Sequence, residues 1–429
     1  MKKHIFILFI CIATVAEGKR DLVEQMASCV RGIDHAMMRD LHALEEQNYK
    51  QSDAQPRAYR PLLEAYPVLH NIPHIALADL PTAVHKLEHL SAWCDDVHIY
   101  IKRDDQTGMM RNGKRLFGGN KVRKLEFLLA DACALGCKTV LTFGCVGSNH
   151  AAATAFYAPL VGMHSVVMLK SEPNSHCVRR NIAVMQQCGA DMHFCTSSDM
   201  RALGTAYVCA RYALDNGSYP YCIPTGGSCP RGALGFVNAA FELNEQISQG
   251  LMPMPDVIYV AAGAASGGTS AGLLLGLCML ELPIKVVAVA TEPEGECSRL
   301  KHAIESLFYQ TNAFIRSYDS TCKNYVFPHD LVQVQTNFAG PQYAEFTQDA
   351  VDAMRCMKQL ENIELDGVYT GKVFAALCHD IQKGLLHNQT VLFWNTFYSC
   401  PFNEETYDIS KLPLGLRTFF IQDVQELDK

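Results

Sequence analysis

One lysine of this 429-residue chain sits in an unusual setting, Phe117-Gly118-Gly119-Asn120-Lys121-Val122-Arg123-Lys124-Leu125-Glu126. Two glycines and an asparagine bring Lys121 to the mouth of what reads as an amphipathic helix. A turn of this kind holds the backbone while the amine reaches into a cavity, which is how a protein presents an amine able to form a Schiff base with a carbonyl group. A second segment, Gly263-Ala264-Ala265-Ser266-Gly267-Gly268-Thr269-Ser270-Ala271-Gly272, joins a predicted strand to a predicted helix. Its glycines let backbone amides turn inward. Ser266, Thr269 and Ser270 add hydroxyl donors, and the helix N-terminus adds partial positive charge. The spacing is not G-x-G-x-x-G and no P-loop lysine is present, so a dinucleotide or triphosphate is disfavoured and a single phosphate group fits.

Three further segments carry candidate side chains. Gly144-Cys145-Val146-Gly147-Ser148-Asn149-His150 is another strand-to-helix turn, in which Ser148 or Asn149 caps the helix and Asn149 is placed to contact a cofactor oxygen. His150 reads as a helix-face residue more than as a base. Lys102-Arg103-Asp104-Asp105 reads as a solvated charge cluster. Asp366-Gly367-Val368-Tyr369-Thr370-Gly371-Lys372 puts Tyr369 in a glycine-flanked loop, where its hydroxyl acts as acid or base only if its environment perturbs it. The combination is what matters. A Schiff-base lysine together with a single-phosphate cup is what pyridoxal 5′-phosphate requires.

Strand and helix patterns alternate along the chain around these residues. Strands are predicted at His98–Lys102, Thr139–Phe143, Ser165–Leu169, Met192–Phe194, Asp256–Ala261, Lys285–Ala290 and Thr390–Trp394. Helices are predicted at Lys121–Leu135, with Leu125, Leu128, Leu129 and Ala132 on one face, and at His150–Leu160, Arg179–Gln187 and Thr269–Met279. Alternation of this kind predicts α/β architecture with parallel sheets and helices on both faces. Ligands in such folds sit beyond the carboxyl ends of strands, where Gly144–His150, Gly263–Thr269 and Asn395-Thr396 all fall.

Composition narrows the partners. A net charge of −7 and the lack of any basic block argue against nucleic acid, leaving a small molecule as the substrate. Lys2 and Lys3 precede an apolar run, Ile5–Val15, and small residues follow at Ala16-Glu17-Gly18. This reads as a secretory signal peptide, too short for a membrane span. The expectation is an exported protein if the leader functions and a cytoplasmic one otherwise, with no membrane span after its removal. The chain has 18 cysteines and no CxxC pair. Many, such as Cys133, Cys209, Cys278, Cys356 and Cys378, lie in apolar helical patterns and read as reduced core residues, with a few paired if the protein is exported. The length divides into a signal peptide (1–18), an N-terminal extension (19–69), a large cofactor-binding domain (70–122 and 231–405), a small domain (123–230) and a tail (406–429).

With these motifs in view, the chain resembles the pyridoxal-phosphate enzymes of the tryptophan-synthase-β fold, and among them the D-cysteine desulfhydrase and 1-aminocyclopropane-1-carboxylate deaminase group. The resemblance runs from about Ile72 to Thr396. Besides the Gly118–Glu126 run, it rests on Tyr100-Ile101-Lys102-Arg103-Asp104-Asp105, Ser148-Asn149-His150, Ile223-Pro224-Thr225-Gly226-Gly227-Ser228, Gly232-Ala233-Leu234-Gly235-Phe236, Ser266-Gly267-Gly268-Thr269 and Val368-Tyr369-Thr370-Gly371-Lys372. It implies two open parallel-sheet α/β domains with the cofactor in the cleft between them, no metal, and a homodimer. Lys121 would carry the cofactor, Asn149 would hold its 3′-oxygen, and Ser266, Gly267, Gly268 and Thr269 would bind its phosphate. Thr396 would face the pyridine nitrogen, and a hydroxyl there leaves that nitrogen largely unprotonated, which suits β-elimination. Ser148 would sit by the substrate and Tyr369 would line its pocket.

The implied reaction is an α,β-elimination on a small amino acid. The freed Lys121 amine takes the Cα proton, the β-substituent leaves (sulfide, for cysteine), and the remainder hydrolyses to pyruvate and ammonia. Phe393 stands where the deaminases typically have tyrosine, which favours D-cysteine as substrate. A 1-aminocyclopropane-1-carboxylate deaminase and a catalytically weakened binding protein are the alternatives. Four positions in three segments depart from the family pattern. Gly147 replaces a usual glutamine, Asp366-Gly367 replaces Asp-Pro, and Phe397-Tyr398 replaces two glycines, which would crowd the pyridine side.

Overall fold

A computed structural model describes residues 59–94, 96–111, 114–263, 267–398 and 407–429. The expected leader, and the expected extension as far as residue 58, lie outside these residues.

Helix α1 (Pro61–Ala65) precedes β1 (Val84–Lys86), α2 (Glu88–Trp93) and β2 (His98–Lys102), and a short ribbon of β3 (Met110–Arg111) and β4 (Lys114–Arg115) follows. The chain then alternates through α3 (Lys121–Ala134), β5 (Thr139–Cys145), α4 (Asn149–Leu160), β6 (His164–Lys170), α5 (His176–Gln187), β7 (Asp191–Cys195), α6 (Ser198–Asn216) and β8 (Tyr221–Ile223). A second alternation runs α7 (Pro230–Ser248), β9 (Val257–Ala262), α8 (Gly268–Met279), β10 (Lys285–Ala290), α9 (Glu294–Tyr318) and β11 (Val332–Gln335). Helices α10 (Gln348–Glu361) and α11 (Thr370–Gln382) lead to β12 (Thr390–Trp394), and α12 (Leu414–Ile421) comes last.

These strands form two open sheets, as the alternation predicts. One has the order β1-β2-β12-β9-β10-β11, parallel except for β1 at its edge. The other, β7-β6-β5-β8, is parallel throughout. Central strands such as Val257–Ala262 and Lys285–Ala290 are nearly continuous aliphatic runs because both of their faces are covered. Register brings strand ends level: Trp394 lies opposite Lys102, and Cys145 opposite Lys170. The turns after these strands therefore open at the same edge of each sheet.

Helix α3 differs from the amphipathic expectation, since every residue from Val122 to Ala132 is buried. Phe127 joins the core built on α7 and α8, while Leu125, Leu128 and Leu129 join the core built on α4. A helix shared by two cores has no solvent face, so its polar side chains must find partners inside. Arg123 does so with Asp104 at 2.7 Å and Glu242 at 2.8 Å. Lys102 donates to Glu242 at 2.5 Å and to Gln246 at 2.7 Å. The 102–105 segment is thus not a solvated cluster. Lys102 and Asp104 are wholly buried, because the run of charges ends the strand beside α3 and each charge meets its opposite there.

Cys133, Cys278, Cys356 and Cys378 are free thiols on helices, with acidity suppressed by burial. Among the described residues no helix is long and apolar enough to cross a membrane.

Candidate active site

A cavity of about 480 Å³ opens at the carboxyl ends of both sheets. Lys121, Ser148, Asn149, Gly267, Gly268, Thr269, Tyr369 and Thr396 all line it. Ser266 lies outside the described residues, and Ser270, expected as a donor, is buried in α8 without lining the cavity.

Lys121 is the first residue of α3, and the preceding turn is fastened to the end of β2. The Gly119 amide donates to the Asp104 carbonyl at 2.9 Å, and Thr107 Oγ1 donates to the Gly119 carbonyl at 2.9 Å. Gly119 has φ +95°, and a Cβ there would lie 2.9 Å from the Phe397 carbonyl oxygen, so only glycine fits. Burial lowers the Lys121 amine to about 8, with Asp366 acting in the opposite sense. A substantial neutral fraction then exists near neutral pH, as a nucleophilic lysine requires.

The lysine turn and the anion cup touch. Asn120 Nδ2 donates to Thr269 Oγ1 at 3.3 Å. Gly267 caps α8 with φ +35°, again a glycine backbone. A Cβ at Gly268 would lie 2.9 Å from both Lys124 Nζ and Ser228 Oγ. Lys124 therefore faces the cup. Its amine donates to the Gly226 carbonyl at 3.0 Å, and burial plus the charge of Lys121 holds it well below the usual lysine range. Lys124 stands one helical turn after Lys121 on the same face, and that spacing is its only signal in the sequence.

Ser148 caps α4 by accepting from the Ala151 amide at 3.2 Å. Asn149 Oδ1 accepts from Asn181 Nδ2 at 2.9 Å, which leaves its own Nδ2 as the donor toward a ligand oxygen. His150 is not an ordinary helix-face residue. It lines the cavity, is 1% exposed, and neither ring nitrogen has a partner among the described residues. Burial, with the charges of Lys121 and Lys124, keeps it neutral.

The opposite wall carries Glu172, Tyr343 and Tyr369. The two phenol hydroxyls hydrogen-bond each other, and burial holds both well above the usual tyrosine range. Tyr369 is placed by Asp366, whose carboxylate accepts from the amides of Val368 at 3.0 Å and Tyr369 at 2.6 Å. Glycine at 367 follows from packing, since a Cβ there would lie 2.5 Å from the Phe346 ring. Burial pushes the Glu172 carboxyl up to about 8, against hydrogen bonds from the Gly147 amide and the Cys145 thiol. Glu172 and Tyr343 carried no motif by which the sequence could have revealed them.

The crowding expected from Phe397 and Tyr398 does not occur. Neither lines the cavity, and Tyr398 stacks on Phe117 with centroids 3.4 Å apart, in the core beneath α4. Tyr398 turns into that core, and Phe397 is buried with its ring beneath the Arg180 guanidinium.

A poised amine, a glycine cradle backed by a lysine and unpartnered buried imidazole nitrogens together fit a small aldehyde bearing one phosphate. Among the described residues no group of three or more His, Cys, Asp or Glu side chains could hold a metal ion.

Comparison with known proteins agrees with this geometry. Residues 75–396 match the family described as pyridoxal-phosphate dependent enzyme. The chain is 32% identical over 324 residues to the D-cysteine desulfhydrase of Yersinia pestis (strain Pestoides F), covering 73% of this chain and 90% of that one. A crystallised ACC deaminase homologue superposes with TM-score 0.62 at 31% identity, over 77% of this chain and 93% of the other. The processed form of threonine deaminase isoform 2 from Solanum lycopersicum shares the fold, with TM-score 0.52 at 15% identity over 83% and 96% of the two chains.

Proposed function

The chain belongs to the pyridoxal-phosphate-dependent enzymes, and on that premise we propose that it is a lyase performing α,β-elimination on a small amino acid, with D-cysteine as substrate and pyruvate, sulfide and ammonia as products. The observation that carries this reading is the contact between the Lys121 turn and the anion cup through Asn120 and Thr269. It lets one small phosphorylated aldehyde reach both.

When bound, the cofactor supplies an aldehyde for amines and an electron-withdrawing ring that acidifies the Cα proton. The residues then divide the remaining work. Lys121 would carry the cofactor, and its Nζ would be the group that takes the Cα proton, which a neutral amine with a lowered pKa can do. Gly267, Gly268 and Thr269, with Ser266, would hold the phosphate, and Lys124 Nζ beside Gly268 would offer it a further donor. Asn149 donates to the ring oxygen. Thr396 would offer the ring nitrogen a hydroxyl and no carboxylate, so no full charge would be fixed there. Ser148, at the N-terminus of α4, seats the substrate carboxylate where the helix dipole favours an anion. Tyr369 would line the substrate pocket.

The D-cysteine assignment is supported by the Yersinia relative and by Phe393, which packs against Phe374 in the core and brings no hydroxyl to the cavity. The likeness to an ACC deaminase homologue favours a second reading, opening of the cyclopropane ring of 1-aminocyclopropane-1-carboxylate. Products separate the two: pyruvate with sulfide for the first, 2-oxobutyrate for the second. Reconstituted protein should show the absorbance of a lysine-bound cofactor, and Lys121→Ala should abolish it. A colourless wild type, or colour that survives the substitution, overturns the reading. Export through a leader at 1–18 and a homodimeric working form complete the proposal. The mature N-terminal sequence and the mass by light scattering test them.

A further inference from the structure

The segment that follows α12 joins the two walls of the candidate site. Helix α12 packs against α5, with Leu416 and Phe419 in the core beside the four-stranded sheet and Phe419 edge-on to Phe194. Asn174 Nδ2 then donates to the carbonyls of Phe419 at 2.8 Å and Gln422 at 2.9 Å. Arg179 donates to the same two carbonyls at 2.9 and 2.7 Å. Asp428 accepts from the His176 amide at the start of α5, at 2.6 Å. On this side the segment is fastened just beyond Glu172 and Pro173, which line the cavity.

Gln425 crosses to the other wall. Its amide N–H donates to the Asn174 carbonyl at 2.9 Å. Its side chain accepts from the Phe346 amide at 2.7 Å and donates to the Ala344 carbonyl at 3.2 Å. Those two groups bracket the turn that presents Tyr343. Ala344 has φ +65°, a conformation that a residue with a Cβ adopts only when its surroundings hold it. Tyr343 in turn meets the Tyr369 hydroxyl in the cavity, and the Phe346 ring covers Gly367 two residues before Tyr369. Gln425 thus ties the loop before α5, through its main-chain amide, to a strained turn, through its side chain, and the neighbour of that turn is a cavity residue. The family match ends at residue 396, so this strap lies beyond the part the chain shares with that family.

We infer that Gln425 is a positioning residue: bridging Asn174 to the 344–346 turn, it fixes Tyr343 and through it Tyr369 on the substrate side of the cavity. The inference rests on the elimination reading for what Tyr369 faces. The cofactor side, built from Lys121 and 267–269, is not touched by the strap.

The test uses the cofactor-loaded full chain with Gln425→Ala, and Glu426→Ala as a control whose carboxylate pairs with exposed Lys429. Amide exchange at Phe346 should quicken by roughly tenfold or more, the scale of losing two hydrogen bonds that hold a turn. KM for D-cysteine, and the dissociation constant for D-alanine read from the cofactor spectrum, should rise severalfold. kcat should change less than about twofold and cofactor affinity should stay constant, since uniform binding is what is lost. The control should change nothing. Unchanged exchange at 343–346 overturns the inference. So does faster exchange with unaltered KM and D-alanine binding, which marks Gln425 as merely structural. A wild type that neither binds nor turns over amino acids fails the proposed function by itself, while exchange still reads the strap.

Discussion

Glu172 occupies the space that a side chain at Gly147 would need: a Cβ built on Gly147 would collide with Glu172 Oε1. The missing side chain and the buried carboxyl are one packing solution, made by the turn after β5 and the end of β6. The carboxyl is held by the Gly147 amide and the Cys145 thiol, while its Oε2 is buried without a partner among the described residues.

Glu172 predicts a pH dependence of stability. Its folded pKa is about 8, against an ordinary value of 4.5. The folded state therefore binds a proton that the unfolded state has released. Its stabilising contribution is full below about 4.5 and is lost as pH rises toward about 8. Glu172→Gln should flatten the decline of Tm across that window, and an unchanged slope would count against the assignment. Gly147→Ala should destabilise by about 1–3 kcal/mol through overpacking, measured by denaturant unfolding.

Lys121 predicts the pH dependence of cofactor uptake. Only the neutral amine attacks an aldehyde, and burial brings its pKa to about 8. The rate of cofactor binding to the cofactor-free enzyme should rise with pH and level off above about 8. A midpoint near the ordinary lysine value would show that the amine is not buried as described.

Gly268→Ala should damage the cup without unfolding the protein. The new methyl would sit 2.9 Å from Lys124 Nζ and Ser228 Oγ, where an anion would otherwise lie. Affinity for pyridoxal phosphate should fall by about tenfold or more, which is about 1.4 kcal/mol. Affinity for pyridoxal lacking the phosphate should fall much less. Equal losses for both would place the phosphate elsewhere.

Arg123 carries stability more than chemistry. It pairs with Asp104 and Glu242 in a wholly buried network that also includes Lys102. Arg123→Ala leaves two carboxylates buried with one lysine between them, and should cost about 3–5 kcal/mol in chemical denaturation. A loss under about 1 kcal/mol would mean that water reaches the network.

Much of the architecture was legible in local sequence. The strand at His98–Lys102 and those at Lys285–Ala290 and Thr390–Trp394 have the limits that their aliphatic runs predict. The glycines around Lys121 and Thr269 announced two turns because left-handed backbone and close approach are properties of single residues. Where those two turns meet was another matter. The partners of the buried charges are remote: Glu242 stands 140 residues from Lys102 and 119 from Arg123. A run such as 102–105 has the same composition whether solvent or opposite charge surrounds it. Glu172, Tyr343 and His150 likewise became cavity residues only through packing. Chain-local geometry determines turns and strands, whereas the burial and ionisation of a side chain depend on atoms that folding alone brings near.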